Sequence, residues 1–312
     1  MGWWSAGLAT LGVAGVAASA WAGLSTWRGQ MLDERARMAA TLPRSMMRIV
    51  IEVLTTVSVG MIAVALLVLL ITALIRGRWL AGLVAVVLVG GANVTTQVLK
   101  YVIFQRPDLG LGDDNTLPSG HTTALASLAL AAIIVLPRSW RTLSAFAAAA
   151  VATFVGAGTV LNGWHRPSDV VAAFGVCAAW AGLALVVAAG WLRLRPAEAG
   201  ELDRSYRHPA MMDRLIRTAR RPGVLRGFGR YLVAGLLGSA GVGVFLIVGG
   251  MTTRGTANDL LLGTLALSAV GVSAAVMTSA VAAVTDGLGS RERVAEAYPG
   301  SVSLSAGPSP AS

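Results

Sequence analysis

The chain has 312 residues, of which 55% are hydrophobic and only 13% are charged, and its formal net charge is +10. Since a soluble domain carries about 25% charged residues, this composition excludes an ordinary soluble protein and predicts a membrane protein with several spans. The single cysteine, Cys177, excludes an intrachain disulfide, and the positive charge gathers beside apolar segments, where arginines meet anionic lipid headgroups rather than nucleic acid.

Apolar segments of membrane-spanning length recur along the chain. A helix needs about 20 apolar residues to cross a bilayer. The candidate spans lie at about 3–26, 49–75, 79–104, 122–136, 142–161, 167–192, 231–252 and 259–285. The fourth is short, so we expect its helix to begin inside the segment Pro118-Ser119-Gly120-His121. The sequence therefore predicts an all-α, polytopic membrane helix bundle of about eight transmembrane helices.

These segments divide the chain into five parts. They are an N-terminal span with an outer loop (1–48), a membrane core (49–192), an Arg-rich linker (193–230), two further spans (231–288) and a tail (289–312). The last two spans have no ionisable residue in their interiors, and packing through small residues explains them. The tail is rich in Ser, Pro and Gly, which predicts disorder.

Basic residues beside the spans predict the orientation. By the positive-inside rule the arginine-rich side is cytoplasmic, and it carries the linker together with Arg76, Arg78, Arg138, Arg141, Arg193 and Arg195. Lys100, His121 and His165 fall on the opposite side, which predicts a site that faces outward from a cell membrane. The segment 28–48 opposes this orientation, because it places five arginines against two acidic residues on the outer side. One lysine among 25 basic residues suggests a bacterial source with a GC-rich genome.

The segment Pro118-Ser119-Gly120-His121 begins the fourth predicted helix. The first amides of a helix lack helical acceptors and carry partial positive charge, which suits a phosphate, and Gly120 lets the backbone approach the anion closely. Upstream, Arg106 offers a planar fork to phosphate oxygens, and Lys100, the only lysine, offers a mobile point charge. These residues predict a phosphate site; the alternative is that Lys100 and Arg106 are ordinary interfacial anchors.

A second cluster, His165-Arg166-Pro167-Ser168-Asp169, carries the candidate nucleophile. Pro fits the first position of a helix, which puts Asp169 in the first turn, able to fold back toward His165. A carboxylate that holds one imidazole nitrogen leaves the other free to attack phosphorus, and His121 can then protonate the departing oxygen. The alternative is a structural helix cap formed by His165 and Asp169. We expect no metal or cofactor, since no regular ligand spacing occurs among the acidic residues Asp108, Asp113 and Asp114.

These motifs resemble the three signature motifs of the type 2 phosphatidic acid phosphatase (PAP2) superfamily. The resemblance rests on Lys100…Arg106-Pro107, Pro118-Ser119-Gly120-His121 and His165…Asp169, and the second to sixth spans are similar to the family's helical core. It implies a catalytic core in which His165 forms a phosphohistidine, Asp169 orients it and His121 is the general acid. The phosphate-binding residues that it implies are Lys100, Arg106, Ser119 and Gly120. Membrane members of the family dephosphorylate lipid phosphates and isoprenoid (pyro)phosphates without a metal.

Two departures from the family pattern concern the phosphate-binding residues. The third motif usually opens with Ser-Arg where this chain has Gly158-Thr159, which removes one guanidinium, worth about 1.5–3 kcal/mol as a charged hydrogen bond. Arg166 is the nearest candidate to replace it. Lys100 also precedes Arg106 by six positions instead of the usual seven, and six positions on a helix rotate by about 240°. Because Pro107 disfavours helix at the residue before it, we expect Arg106 to reach the site from a loop.

The sequence thus predicts a membrane phosphatase for a lipid phosphomonoester or polyprenyl (pyro)phosphate. The loop 108–117 is short, so we expect little protein over the site and lateral entry of a lipid from the bilayer. The missing arginine leaves open a catalytically weakened protein that binds lipid headgroups or scaffolds envelope proteins. A small-solute transporter would need broken helices in two related halves, and the sequence has no such symmetry. The expected partners are the lipid substrate and membrane lipids, not nucleic acid.

Overall fold

The computed structural model describes residues 2–194, 224–250 and 257–297, and the regular elements in these ranges are all helices. In chain order the α-helices are α1 (Gly2–Ser25), α2 (Trp27–Ala40), α3 (Arg44–Thr55), α4 (Val59–Ile75), α5 (Trp79–Val98), α6 (Gly120–Val135), α7 (Arg141–Leu161), α8 (Pro167–Leu194), α9 (Val224–Gly250) and α10 (Ala257–Ala297). A π-helix, Leu99–Ile103, continues α5, and a 3-10 turn, Arg138–Trp140, precedes α7. The all-α fold class is confirmed.

Several of these helices are long and apolar enough to cross a membrane. Within the described residues five candidate spans meet that test: Trp3–Ser25, Trp79–Ile103, Arg138–Leu161, Pro167–Trp191 and Asn258–Asp286. Helices α3 and α4 make a sixth if the bent pair is one crossing, and α6 is apolar but shorter. The helices are therefore compatible with a multi-pass membrane protein, while the total of eight spans stays a prediction.

The predicted second span, 49–75, is not one straight helix. Helices α3 and α4 meet at an angle of 72° across residues 56–58. Ser58 is the N-cap of α4, and its side-chain oxygen accepts from the Met61 N–H at 3.2 Å. The Thr56 hydroxyl donates to a carbonyl of α3. Ser and Thr side chains compete in this way for the bonds that would continue a helix, which explains the break in an apolar segment.

The predicted outer loop within 1–48 is mostly helical, and its position outside the membrane stays a prediction. Thr26 caps α2, its hydroxyl oxygen accepting from the Gly29 N–H at 3.1 Å. The residues that follow are mainly Met, Leu, Glu, Arg and Ala, which favour helix. Helix α3 then begins at Arg44.

The predicted tail, 289–312, begins later in the structure. Helix α10 continues to Ala297, so residues 289–297 are helical, because Arg, Glu and Ala favour helix there. The rest of the tail, 298–312, and most of the Arg-rich linker, 195–223, lie outside the described residues.

Helix α8 lies among most of the other helices, and α1 packs along it at very short range. A Cβ atom on Gly12 would lie 2.4 Å from the backbone nitrogen of Ala179. On the opposite helix, a Cβ on Gly182 would lie 2.4 Å from the backbone nitrogen of Ala9. Since real Cβ atoms do not approach backbone so closely, glycine is required at both positions. Small residues of this kind let membrane helices pack backbone to backbone.

The two ends of the bundle differ chemically. At one end α2 meets the chain between α5 and α6, where the Gln30 side-chain amide donates to the Pro107 carbonyl at 3.0 Å. At the other end Asp286 of α10 lies 3.3 Å from the Nε of Arg138 and 3.4 Å from the Nε of Arg141, so ion pairs tie α10 to α7. The predicted site residues all belong to the first end.

Candidate active site

His165 follows a tight turn at the end of α7. Gly163 adopts the left-handed conformation there, with φ +70°, and its N–H donates to the Val160 carbonyl at 2.8 Å. The backbone N–H groups of Trp164 and His165 then donate to the Thr159 carbonyl at 3.0 and 3.3 Å. These bonds fix the backbone of His165, which is only 6% exposed.

The Asp169 carboxylate orients the His165 ring. Helix α8 begins at Pro167, as predicted, and Asp169 folds back from its first turn so that Oδ2 lies 3.2 Å from His165 Nδ1. The same oxygen accepts from the Arg166 N–H at 2.9 Å and from the Thr116 hydroxyl at 2.6 Å. Because the carboxylate holds Nδ1, the Nε2 of His165 is the nitrogen available to a phosphorus atom.

The N-terminus of α6 presents backbone amides without acceptors. Ser119 is the N-cap, and its Oγ accepts from the N–H and the hydroxyl of Thr122 at 3.4 and 3.0 Å. The Ser119 N–H donates to the Asp169 carbonyl at 3.0 Å. Within the described part of the chain, neither the Gly120 N–H nor the His121 N–H has an acceptor. Unpaired amides at a helix start favour an anion.

His121 lies beside the other candidate residues. Its ring packs against the Trp164 indole, with the ring centroids 5.6 Å apart and the planes inclined by 39°. Burial is the main cause that lowers the pKa of His121, and the proximity of His165 and Lys100 lowers it further, so these three side chains occupy one neighbourhood. The structure therefore brings the two motif histidines into one site.

Lys100 lies in the π-helix that continues α5. The wider turn there, closed by a 2.8 Å bond from the Phe104 N–H to the Leu99 carbonyl, changes the rotation between Lys100 and the residues after it. Arg106 lies beyond the helix in irregular chain, as Pro107 predicts, so the six-residue spacing needs no common helix face. The Lys100 ammonium is 5.5 Å from the centre of the Tyr101 ring, and it has no carboxylate partner among the described residues.

Arg106 is 4% exposed and only partly hydrogen-bonded. Its Nε donates to the Gly112 carbonyl at 3.2 Å, and its Nη1 donates to the Gly23 carbonyl at 3.1 Å. Its Nη2 is buried without a partner in the described residues. Burial lowers the pKa of Arg106, and the charge of Arg166 acts in the same direction, yet a guanidinium stays protonated. A buried donor without an acceptor is costly, and a phosphate oxygen would satisfy it.

Polar side chains hold the loop that precedes α6. Asp108 Oδ1 accepts from the N–H groups of Gly110 and Gly112 at 2.8 and 3.1 Å, so this carboxylate braces a turn. The Asn115 side-chain amide donates to the Lys100 carbonyl at 2.9 Å. The described residues contain no group of three or more His, Cys, Asp or Glu side chains that could hold a metal ion.

Arg166 is 8% exposed and has several protein partners. Its Nε donates to Glu34 Oε2 at 2.9 Å, and its Nη1 donates to Thr116 Oγ1 at 3.1 Å and to the Asp114 carbonyl at 3.3 Å. Through these contacts Arg166 holds the Thr116 hydroxyl in place, and Thr116 in turn donates to Asp169. The direct contact of Arg166 with phosphate, which the sequence offers as the alternative, is tested by the Arg166→Ala and Thr159→Arg variants proposed below.

The two positions where the third motif departs from the family pattern are buried in helix α7. A Cβ on Gly158 would lie 2.9 Å from the Cγ1 of Val50 in α3. Thr159 is fully buried, and its hydroxyl donates to the Gly156 carbonyl at 2.9 Å. Both positions serve packing in this chain, and neither provides a cation.

Helix α2 packs against the segments on both sides of His165, a set of contacts that the sequence analysis does not predict. Asp33 accepts from both the N–H and the hydroxyl of Ser168, the former at 3.0 Å, and Glu34 pairs with Arg166. Arg37 Nη1 donates to a carbonyl of the turn after α7 at 3.0 Å. The sequence signal for these contacts is slight: two acidic residues within an arginine-rich segment that carries no motif.

Comparison with known proteins identifies one related family. The family model of the PAP2 superfamily matches residues 79–193, which run from the start of α5 nearly to the end of α8 and include every motif residue described above. No curated protein and no solved structure matches the chain.

Proposed function

We propose that the chain, whose residues 79–193 match the family model of the PAP2 superfamily, is a metal-independent membrane phosphatase acting on a lipid phosphate or a polyprenyl (pyro)phosphate. Members of the superfamily are phosphatases that act on phosphate esters. One observation carries the proposal further: at the end of the bundle that holds His165, four donors have no acceptor among the described residues. They are the Lys100 ammonium, the Arg106 Nη2 and the N–H groups of Gly120 and His121.

In the first proposed step, the His165 Nε2 attacks phosphorus in line with the leaving oxygen. The P–N bond forms while the P–O bond to the lipid breaks, and protonated His121 gives its proton to the departing oxygen. Lys100, Arg106 and the α6 amides bind the remaining phosphate oxygens, where negative charge is greatest. The imidazole ring becomes cationic, and Asp169 stabilises that charge.

In the second proposed step, water attacks the phosphohistidine. Neutral His121 takes the proton from this water, the P–N bond breaks, and inorganic phosphate leaves. His165 recovers its lone pair and His121 its proton, so the cycle closes. In both steps the side chains and amides named above stabilise the charges that form. The proposed steps therefore assign no role to a metal or cofactor.

An apolar surface beside the cationic residues supports a lipid substrate. Tyr101, Val102 and Ile103 follow Lys100 directly and are 73%, 71% and 57% exposed. A phosphate held by Lys100 therefore has an apolar helix face next to it, along which a hydrocarbon chain can lie. Membrane lipids and the lipid substrate are the proposed partners.

The proposed orientation puts the site at the outer face of a cell membrane. The opposite end carries Arg138, Arg141 and Arg230, which pair with Asp286, and Arg78, which donates to a carbonyl of α6. An excess of arginine marks the cytoplasmic side. The five arginines of 28–48 are weaker evidence against this orientation than their number suggests, because Arg37 forms an ion pair with Glu34 within the fold.

A catalytically weakened lipid-binding protein is the second candidate. It is favoured by one observation, that Gly158 and Thr159 provide packing where the family motif has a cationic residue. Such a protein would bind lipid phosphates at the same donors and release no phosphate from them.

Phosphate release by purified protein tests the proposal. The protein in detergent is assayed against phosphatidic acid, a polyprenyl phosphate and a polyprenyl diphosphate, with His165→Ala as the matched control. Activity is expected to persist in excess EDTA and to be inhibited by vanadate, which mimics five-coordinate phosphorus. Turnover that is lost on chelation and restored by magnesium would contradict the mechanism. Binding without release, on every lipid, would favour the second candidate.

A further inference from the structure

A continuous chain of hydrogen bonds runs from α2 to the Asp169 carboxylate. Glu34 Oε2 accepts from Arg166 Nε at 2.9 Å, Arg166 Nη1 donates to Thr116 Oγ1 at 3.1 Å, and the Thr116 hydroxyl donates to Asp169 Oδ2 at 2.6 Å. A guanidinium can only donate, so Thr116 must accept from Arg166. Its one proton is then directed at Asp169, which fixes the direction of each bond.

The Glu34 carboxylate is held on two sides, which makes it a firm anchor for this chain of bonds. Arg37 donates to both of its oxygens, and Arg166 donates to one of them. The side chain of Glu34 is 13% exposed, and the hydrogen bond from Arg37 is the main reason that the pKa of Glu34 is lowered. Glu34 therefore stays ionised between two guanidinium groups at neutral pH.

Other residues of α2 hold the segments on both sides of His165. Arg37 binds the Gly163 carbonyl in the turn before it, at 3.0 Å. Asp33 binds the N–H of Ser168 in the helix after it, also at 3.0 Å. One helix thus fixes the backbone before and after the candidate nucleophile.

We propose that Glu34 is a positioning residue of the active site, which acts through Arg166 and Thr116 to orient Asp169 and thereby the His165 ring. The inference rests on the proposed phosphatase function. Glu34 lies outside residues 79–193, so the site of this chain includes a helix that the family match does not cover. Without the Glu34 charge, the Arg166 guanidinium is free to pair with Asp169 directly, in competition with His165.

Substitutions along the chain of bonds test this role. Glu34→Gln and Thr116→Val are each expected to lower kcat by about 10-fold or more, the usual effect of losing a partner that orients a reacting group. KM is expected to change little, because neither side chain is assigned to the phosphate. Thr116→Ser keeps the hydroxyl and is expected to recover most of the loss seen in Thr116→Val. Glu52→Gln is the matched control, since Glu52 is an exposed carboxylate on α3.

A second readout separates this inference from the phosphatase proposal. The rate at which diethyl pyrocarbonate modifies His165 at fixed pH is followed by mass spectrometry, without any substrate. Because a carboxylate on Nδ1 makes Nε2 more nucleophilic, His165 is expected to react more slowly in Glu34→Gln and Thr116→Val than in Glu52→Gln. An inactive parent would contradict the phosphatase proposal but not the role of Glu34, which the modification rates would still test. An active parent whose Glu34→Gln and Thr116→Val forms match Glu52→Gln in kcat and in modification rate would overturn the inference alone.

Discussion

The backbone N–H of Ser119 donates to the backbone carbonyl of Asp169 at 3.0 Å, and this bond joins the start of α6 to the first turn of α8. Ser119 lies two positions before His121, and Asp169 holds His165. One backbone bond therefore couples the positions of the two histidines. A nucleophile and a proton donor need such a fixed relation, because attack and proton transfer occur on opposite sides of one phosphorus atom.

The two histidines are expected to give different kinetic defects. His165→Ala should abolish turnover and any acid-labile phosphoenzyme, because the P–N bond can no longer form. His121→Ala should slow turnover by about 10²–10⁴-fold, most strongly for substrates with poor leaving groups. Phosphoenzyme trapping and rates across a series of leaving groups measure both effects. Near-normal turnover in His165→Ala would show that the nucleophile is another residue.

The positions of the reactive side chains were predictable because local rules place them. Proline favours the start of a helix, so Pro167 predicts α8 and puts Asp169 within reach of His165. Pro107 likewise predicts that Arg106 lies outside a helix. These inferences need only residues that are close together in the sequence.

The contacts of α2 were not predictable in the same way. The bond between Glu34 and Arg166 joins residues separated by 132 positions, and no local rule pairs them. The π-helix around Lys100 was not predicted either, because it depends on how α5 meets the loop before α6. Both features arise from tertiary packing, which outweighs local preference.

Arg166 is expected to act as a positioning residue rather than as a substitute for the missing motif arginine. Arg166→Ala should lower kcat/KM by about 10–100-fold, because Thr116 and Glu34 both lose their partner. Adding Thr159→Arg should not restore the loss, since a guanidinium on α7 cannot rebuild those bonds. The kinetics of the single and double variants decide this. Substantial rescue by Thr159→Arg would assign Arg166 to the phosphate instead.

Asp33 is expected to make the stability of the protein depend on pH. Burial is the main cause that raises its pKa from 3.8 to about 6, and the charge of Asp169 adds to it. The folded state thus holds this proton more tightly than the unfolded state does. The resulting stabilisation is complete below about pH 4 and is lost as the pH rises through about 6. The lowered pKa of Glu34 changes the stability only at pH values below 4.5, its usual pKa, and so does not affect the stability near pH 6.

Thermal unfolding at about pH 5 and pH 7.5 measures this effect of Asp33. The parent should have the lower Tm at the higher pH. Asp33→Asn keeps an acceptor for the Ser168 N–H but cannot ionise, so its Tm should vary less between the two conditions. An equal pH dependence in the parent and in Asp33→Asn would assign the effect to other groups.

The close packing of α1 on α8 is expected to make Gly12 intolerant of even one methyl group. A Cβ there would lie 2.4 Å from the Ala179 backbone nitrogen and 2.6 Å from the Gly175 carbonyl oxygen, so the two helices must separate. Overpacking of this kind costs about 1–3 kcal/mol, and Gly12→Ala should lower the Tm accordingly. Gly7→Ala on the same helix is the matched control, because a Cβ at Gly7 meets nothing within 4 Å. It should leave the Tm unchanged or raise it, since alanine favours helix over glycine. Equal Tm values for the two variants would mean that α1 does not pack on α8 as closely as this structure describes.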